Sequence, residues 1–297
     1  MPEGYTHVRT AQKAAHAIHY KLQCPAAFAA GANGPDSFFC YEVWKKGQNR
    51  TYNLPLLGNR MHEDKTGAFL LALLHHTHTQ AQIEYTLGFL CHYAADTVMH
   101  PYVVFVSSPG QPYGMKGGHG YFEIALDSTL HAEDTGVSEV PADDSSPVPV
   151  GQDLAEIAAL LHQCILEVYG QDISVEALAD SFYYTYRLRR LFTSRHGVRR
   201  AFITGHVSPA HLKLNLPEDW TDPATGEERH GGAFALLKDA QHRCELFMTA
   251  ALGHWMGKLD EEILEKTLGS MSYITGTETE RNRQAKPPDI PAPDLCG

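Results

Sequence analysis

Five side chains of metal-binding type lie at helical spacing in one stretch of the sequence. FLCHYAADTVMHP places His92, Asp96 and His100 four residues apart, and GGHGYFEIALD repeats that interval with His119 and Glu123. Residues four apart in an α-helix lie about one turn apart on the same face. Imidazoles and carboxylates that converge from two helices are ligands that zinc prefers.

The simpler interpretation is a set of ordinary histidines, either satisfied in the core or exposed at the surface. For any one of these residues taken alone, that interpretation would be preferred. Five of them on segments that are otherwise largely apolar predict a metal site, because unpaired polar groups on a buried face are costly.

Two helices are needed to position these side chains. The spacing predicts a core helix over residues 80–100, and Pro101 is expected to end it, because proline removes a backbone donor and clashes with the preceding turn. Gly88 would allow another helix to pack closely against it. A loop rich in glycine and proline, residues 107–120, then delivers His119 to a second helix.

The rest of the chain predicts an all-α fold, a single-domain helical bundle. Further helices are expected over residues 8–22 with Thr6 as N-cap, 59–76 with a weak point at Gly67, 153–169, 174–193, 233–257 and 259–269, and loops over 24–36, 133–151 and 205–232. The sequence has no repeat of fixed period and no alternating strand of useful length. We therefore expect one helical domain over residues 1–276 and a polar, proline-rich, disordered tail over 277–297.

Composition narrows the class of protein. The 297 residues are 43% hydrophobic, which is enough for a core, and contain no run of 18 apolar residues that would predict a membrane span. The six cysteines are scattered without a C-x-x-C pair, and the N-terminus lacks a basic region followed by an apolar one, so a cytoplasmic location is expected. The net charge of −11 argues against a nucleic-acid scaffold, whereas 18 histidines favour metal binding.

Three residues outside the central stretch are further candidate ligands. His7 lies at the start of the first predicted helix, Asp36 follows the helix breakers in GANGPD, and His62 lies near the start of a helix in GNRMHED. Each has a simpler interpretation when taken alone. An aspartate after a proline is usually a helix cap, and a lone histidine before two acidic residues is usually solvated.

The pieces in this order resemble the bacterial zinc-dependent phospholipase C family, which shares its all-helical fold with the single-strand-specific zinc nucleases. The matching pieces are GYTHVRTAQKA, GPD, MHEDK, the His-Tyr-x-x-Asp…His-Pro block at 92–101 and the H-x-x-x-E motif at 119–123. By motif, the resemblance spans roughly residues 4–127, and the His-Tyr-x-x-Asp…His-Pro block is its most specific part.

The resemblance implies a cluster of two or three zinc ions. The first zinc would be held by Asp36, His62, His92 and Asp96, the second by His100, His119 and Glu123, and the third by His7 with Asp96 bridging. Secreted members of the family complete the third site with an N-terminal tryptophan, whereas this sequence has no tryptophan before Trp44.

The chemistry that the resemblance implies is hydrolysis of a phosphoester, more narrowly a phosphodiester, by water that zinc activates. Asp36 could both bind zinc and accept the proton of that water, which makes it the candidate catalytic residue. The substrate would be a soluble phosphoester or a phospholipid. Two alternatives stay open: a zinc nuclease on the same scaffold, which the acidic charge makes less favourable, and a non-catalytic metal-binding protein.

Two other clusters have simple interpretations. RLRRLFTSRHGVRR at 187–200 could bind phosphate headgroups but is more typical of a solvated helix face. HHTHT at 75–79 could hold a metal but is more typical of a solvated helix end.

Overall fold

Helix α5 (Gln80–Val106) is the central element and carries three of the candidate ligands. The computed structural model describes residues 4–193 and 216–278. The other α-helices are α1 (Gly4–Ala17), α2 (Pro25–Ala32), α3 (Leu54–Glu63), α4 (Thr66–His76), α6 (Gly118–Thr135), α7 (Ala142–Ser145), α8 (Gln152–Tyr169), α9 (Val175–Phe192), α10 (Ala233–Trp255) and α11 (Glu261–Leu268). Two 3-10 helices (Gly34–Cys40 and Gly47–Asn49) and a small antiparallel hairpin of β1 (Asp219–Thr221) and β2 (Glu228–His230) complete the described part of the chain. The predicted all-α fold is confirmed.

Helix α5 packs against α2 on one side and α10 on another. Its crossing with α2 is unusually close because both helices present glycine there. A Cβ at Gly88 would lie 2.1 Å from the carbonyl oxygen of Phe28, and one at Gly31 would lie 2.0 Å from that of Tyr85. The close packing predicted at Gly88 is confirmed, and it brings the end of α2 against the His92 side of α5.

A buried carboxylate on α5 caps the start of α2. Residues 24–36 were expected to form a loop, and that prediction is wrong. Glu84 is fully buried, and its carboxylate accepts the backbone N–H groups of Gln23 and Cys24, both at 2.7 Å, at the start of α2. This cap satisfies N–H groups that a helix otherwise leaves unpaired, and Pro25 at the first helical position needs no such partner.

A second buried carboxylate caps α1 from a distant part of the chain. The helix begins at Gly4 and ends at Ala17, so the expected helix over 8–22 starts and ends too late. Asp127 of α6 accepts the backbone N–H groups of Tyr5 at 2.9 Å and Thr6 at 2.8 Å. Thr6 is therefore not the N-cap, because the cap is Asp127.

Pro101 does not end α5, which continues to Val106. The proline removes only the hydrogen bond to the Thr97 carbonyl, and that oxygen lies against Gly276. Burial of the apolar residues after the proline stabilises the continued helix. Tyr102 and Val106 are fully buried in a second apolar cluster that includes Phe122 of α6, Trp220 of the hairpin and part of α10.

The helix expected over residues 59–76 is two helices. The chain breaks at Asp64 and Lys65, where Lys65 has a φ of 57°, and not at Gly67. As a consequence His62 lies in the last turn of α3 rather than near the start of a helix.

The helices expected over 153–169, 174–193 and 233–257 correspond to α8, α9 and α10, and the short helix expected over 259–269 is α11. The segment 133–151 contains the short helix α7, whose Ser145 carbonyl accepts the Asn33 side chain at 3.0 Å. The five cysteines of the described residues are free. Residues 194–215, which hold the end of the arginine-rich stretch, and residues 279–297 of the predicted tail lie outside the described residues.

Candidate metal centre

Five elements bring all eight candidate ligands together. The side chains come from α1, the 3-10 helix after α2, the end of α3, the middle of α5 and the first turns of α6: His7, Asp36, His62, His92, Asp96, His100, His119 and Glu123. Three sets of donor atoms lie within 4.8 Å of one another: His7 with Asp36 and His92, His62 with His92 and Asp96, and His100 with His119 and Glu123.

Asp96 is the side chain on which four histidines converge. Its Oδ1 lies 3.3 Å from Nε2 of His7, and its Oδ2 lies 3.2 Å from Nε2 of His92, 3.4 Å from Nδ1 of His100 and 3.7 Å from Nε2 of His62. One carboxylate could therefore bridge two metal ions or orient several imidazoles at once.

Backbone carbonyls fix the orientation of three imidazoles. Nδ1 donates to Gly58 at 2.7 Å in His62, to Ala32 at 3.2 Å in His92, and to Tyr273 at 3.1 Å in His100. A carbonyl oxygen can only accept, so Nδ1 carries a proton in each ring and Nε2 is the nitrogen that remains to bind a metal. Metal-binding histidines usually have this second interaction, which fixes the tautomer.

Several donor atoms have no hydrogen-bond partner within the described residues. Nε2 of His92, Oδ2 of Asp96 and Nδ1 of His7 are buried without one. Unsatisfied buried polar atoms are costly, and here they belong to neighbouring side chains that face one another. The donor set of nitrogen and oxygen atoms suits zinc, so the residues present fit the ion that the sequence predicts.

The cluster has a buried half and an open half. We call Asp36, His62, His92 and Asp96 the buried group, whose side chains are between 0 and 5% exposed. We call His100, His119 and Glu123 the open group, in which His119 is 42% exposed. His7, at 15%, lies between them beside Asp96. Solvent therefore reaches the centre from the α6 side.

Residues 6–188 match the sequence model of a protein family described as zinc dependent phospholipase C. The chain belongs to this family. The matched range holds all eight candidate ligands and covers more than half of the chain. Among curated proteins and among solved structures, no match was found.

Membership of the zinc-dependent phospholipase C family supports zinc as the metal and a phosphoester as the substrate class. Within the described residues, no helix is both long enough and apolar enough to span a bilayer.

Burial and neighbouring charges shift several pKa values at this centre. Burial opposes ionisation of Asp96, but the neighbouring histidines outweigh it and hold the pKa of Asp96 well below its usual value. Burial likewise opposes protonation of His100, but Asp96 and Glu123 raise its pKa to about 10. Hydrogen bonds from His100 and His119 overcome burial and lower the pKa of Glu123 to about 2.

The other two imidazoles with shifted pKa values differ from each other. Burial lowers the pKa of His7 to about 4, although Asp96 opposes that shift. Burial also acts against protonation of His92, but Asp96 and Asp36 outweigh it, and the pKa of His92 is raised. A negatively charged pocket lined by imidazoles is what a divalent cation stabilises.

Sequence reasoning missed four residues that support the ligands. Tyr273 is buried, packs its ring 5.1 Å from that of His62 and supplies the carbonyl that holds His100. Phe39 stacks on His62 at 5.5 Å. Asp127 and Glu84 cap the helices that lead to His7 and Asp36. Only Asp127 had a sequence signal, because it extends the fourfold spacing of His119 and Glu123 by one more turn.

The first two histidines of the HHTHT segment, His75 and His76, do not form the solvated helix end that the sequence predicts. His75 is buried and lies 2.9 Å from Glu261 of α11, and His76 lies 2.6 Å from Glu167 of α8. Among the described residues, neither belongs to a set of three metal-binding side chains. These histidines link α4 to α11 and α8.

Proposed function

We propose that this chain is a zinc-dependent phosphoester hydrolase that cleaves phosphodiesters in the manner of a phospholipase C, with two or three zinc ions held by the eight ligands. The observation that carries the proposal is Asp96, on which His7, His62, His92 and His100 converge. Asp96 would hold metal together with these histidines, and metal at that position would supply a Lewis acid for a phosphate group.

Zinc bound at this centre would lower the pKa of a coordinated water to about 7 and stabilise negative charge on the phosphoester oxygens. The protein contributes the geometry. The carbonyls of Gly58, Ala32 and Tyr273 hold three imidazoles in the required tautomer, so little reorganisation is needed when substrate binds.

Asp36 is the proposed proton acceptor. Its Oδ1 lies 3.1 Å from Nε2 of His62, and its side chain is only 5% exposed. A carboxylate in that position can take a proton from water at the cluster while it remains a ligand. The open group admits the substrate, because His119 and Glu123 are the ligands nearest solvent.

The test is hydrolysis by zinc-loaded protein whose metal content is measured. The panel contains p-nitrophenyl phosphocholine, p-nitrophenyl phosphate, phosphatidylcholine in mixed micelles and single-stranded DNA. We expect cleavage of at least one phosphodiester other than DNA, and Asp36→Asn should lose about 10²–10⁴-fold in kcat, the range typical of a general base. Asp172→Asn, on a carboxylate that is 82% exposed, is the matched control and should retain full activity.

Three results would contradict the proposal. Zinc-loaded protein without activity on any phosphoester would indicate a metal-binding protein. Cleavage of DNA alone would indicate the nuclease alternative. Activity unchanged in Asp36→Asn would remove Asp36 from the catalytic role.

A further inference from the structure

The chain between two candidate ligands forms an exposed surface beside the metal centre. It begins after the 3-10 helix that carries Asp36 and ends at His62 in the last turn of α3. Phe39, in the 3-10 helix just before this stretch, stacks on the His62 ring at 5.5 Å and 28°. A partner that covers this stretch would therefore lie next to the cluster.

Large apolar side chains are exposed on this stretch. Val43 is 45% exposed, Trp44 is 63% exposed and Leu56 is 62% exposed. Single exposed apolar residues are ordinary, but several on one short segment beside a site indicate a contact surface. We call Val43, Trp44, Lys46, Arg50 and Leu56 the docking surface.

The charge of the same stretch is opposite to that of the protein. Residues 41–62 contain four basic side chains and one carboxylate, that of Glu42, whereas the whole chain has a net charge of −11. Lys45 is paired with Glu42 at 2.7 Å, and Arg60 with Asp64 at 2.9 Å. Within the described residues, no ion pair neutralises Lys46 or Arg50, so these two supply the positive charge.

The loop that presents Trp44 is held in place by hydrogen bonds to the buried Glu42. Glu42 is buried with a φ of 46°, and its carboxylate accepts the N–H of Thr51 at 2.9 Å and the ammonium group of Lys45 at 2.7 Å. The Trp44 ring packs edge-on against Tyr184 of α9, with centroids 4.9 Å apart. The indole is thus held at the surface without being buried.

We propose that the docking surface binds a lipid surface that carries anionic headgroups. An exposed indole beside lysine and arginine is the combination that partitions at a bilayer interface, because the ring enters the headgroup region while the cations pair with anionic lipid. Charge complementarity selects this occupant.

Vesicle binding by the zinc-loaded protein tests this proposal without measuring hydrolysis. The vesicles consist of digalactosyl diacylglycerol with or without about 20% cholesterol sulfate, so the anion is a sulfate and no phosphoester is offered to the metal centre. Trp44 serves as the reporter, because Trp220 is buried and Trp255 is partly buried. We expect co-sedimentation with the sulfate vesicles, a blue shift of the emission, and weaker binding at high salt.

Two substitutions and two matched controls locate the contact. Trp44→Ala should weaken partitioning about tenfold, and Lys46→Glu, which reverses a charge near the surface, about tenfold or more. Leu246→Ala removes an apolar residue that is 54% exposed on α10, and Lys258→Glu reverses an exposed lysine elsewhere. Both controls should bind as the unmodified protein does. The thermal midpoint of every variant is measured to show that it is folded.

Four outcomes would overturn the proposal. The first two are the absence of binding to sulfate vesicles, and binding by Trp44→Ala and Lys46→Glu that equals binding by the unmodified protein. The other two are self-association in sedimentation velocity that Trp44→Ala abolishes, and displacement from vesicles by single-stranded DNA that Lys46→Glu prevents. None of these bears on phosphoester hydrolysis, which is tested separately.

Discussion

The buried group and the open group use the same kinds of side chain and differ in how far solvent reaches them. In the buried group, the rings of His62 and His92 are each held by a backbone carbonyl and hidden from solvent. In the open group, the His100 ring is likewise held by a carbonyl, that of Tyr273, but His119 follows a glycine-rich loop at the start of α6, and its ring is 42% exposed. The geometry of the buried group is therefore set before a metal binds. The open group remains accessible to solvent through His119, which allows substrate to approach and metal to exchange.

The largest effect on zinc content and activity is expected at Asp96, where the buried group and the open group meet. Asp96→Asn should remove zinc from the buried group and reduce phosphoester hydrolysis by about 10³-fold or more, because several kcal/mol of charge stabilisation are lost. His119→Gln should remove zinc from the open group only. Zinc content per chain by plasma mass spectrometry distinguishes the two, and equal metal loss in both variants would show that the halves are one unit.

The next effect concerns the backbone beside the buried group. Gly34 has a φ of 51°, and a Cβ there would lie 2.2 Å from Cδ2 of His92. Gly34→Ala should therefore cost about 1–2 kcal/mol for the left-handed backbone and displace the His92 ring, with loss of zinc from the buried group.

Gly170→Ala is the matched control, because Gly170 has a φ of 65° and nothing within 4 Å of the added carbon. It should lower the thermal midpoint by the backbone contribution alone and keep its zinc. If Gly34→Ala also keeps its zinc, the close approach to His92 does not set the ligand geometry.

A pH series distinguishes the open group from the buried group by the protons that zinc binding displaces. The raised pKa of His100, about 10, means that the metal-free protein holds a proton there, which contributes stability below pH 6.5 that is lost as the pH rises through 10. Zinc must displace this proton, so its affinity at the open group should rise up to about tenfold per pH unit between pH 6.5 and 8. The lowered pKa of Glu123, about 2, gives stability above pH 4.5 that is lost as the pH falls to 2.

His7→Gln is the control for that series. The pKa of His7, about 4, leaves its ring neutral throughout the range, so the slope of open-group affinity with pH should not change. Titration calorimetry in two buffers of different ionisation enthalpy counts the released protons. An open group that binds zinc without proton release would contradict the assignment.

The smallest effect is expected at the helix cap that joins α1 to α6. Asp127→Asn should lower stability by about 1 kcal/mol, the usual contribution of an N-cap, and weaken zinc held through His7 a few-fold. Ser174→Ala removes the N-cap of α9, a helix that carries none of the eight candidate ligands, and should leave that zinc unaffected. Chemical denaturation and zinc titration measure both, and identical zinc affinities in the two variants would make Asp127 a structural residue only.

Spacing along two helices was enough to predict which five side chains lie together, and their role as metal ligands stays a prediction. His92, Asp96 and His100 are linked by helical geometry, and His119 with Glu123 by the same interval, so local sequence carried the information. The assignment of individual residues to individual zinc ions stays a prediction.

The errors lie where distant residues decide local structure. Helix α2 depends on Glu84, which is sixty residues away, and the start of α1 depends on Asp127. Local sequence near residue 25 does favour a helix, because Pro25 stands at its first position in an alanine-rich segment. Nothing near residue 25 or residue 5 indicates the distant carboxylate that caps each helix. Pro101 misled for a related reason: buried apolar residues after it offset the one hydrogen bond that it removes.

The crossing of α2 and α5 has a consequence for how this chain can change. Because Gly31 and Gly88 bring two backbones into direct contact, the carbonyl of Ala32 reaches the His92 ring with no side chain between them. Any residue with a β-carbon at either glycine would push the helices apart and detach that carbonyl from the imidazole. Natural variation should therefore exclude larger residues at these two positions as strictly as at the ligands, although neither glycine touches the metal.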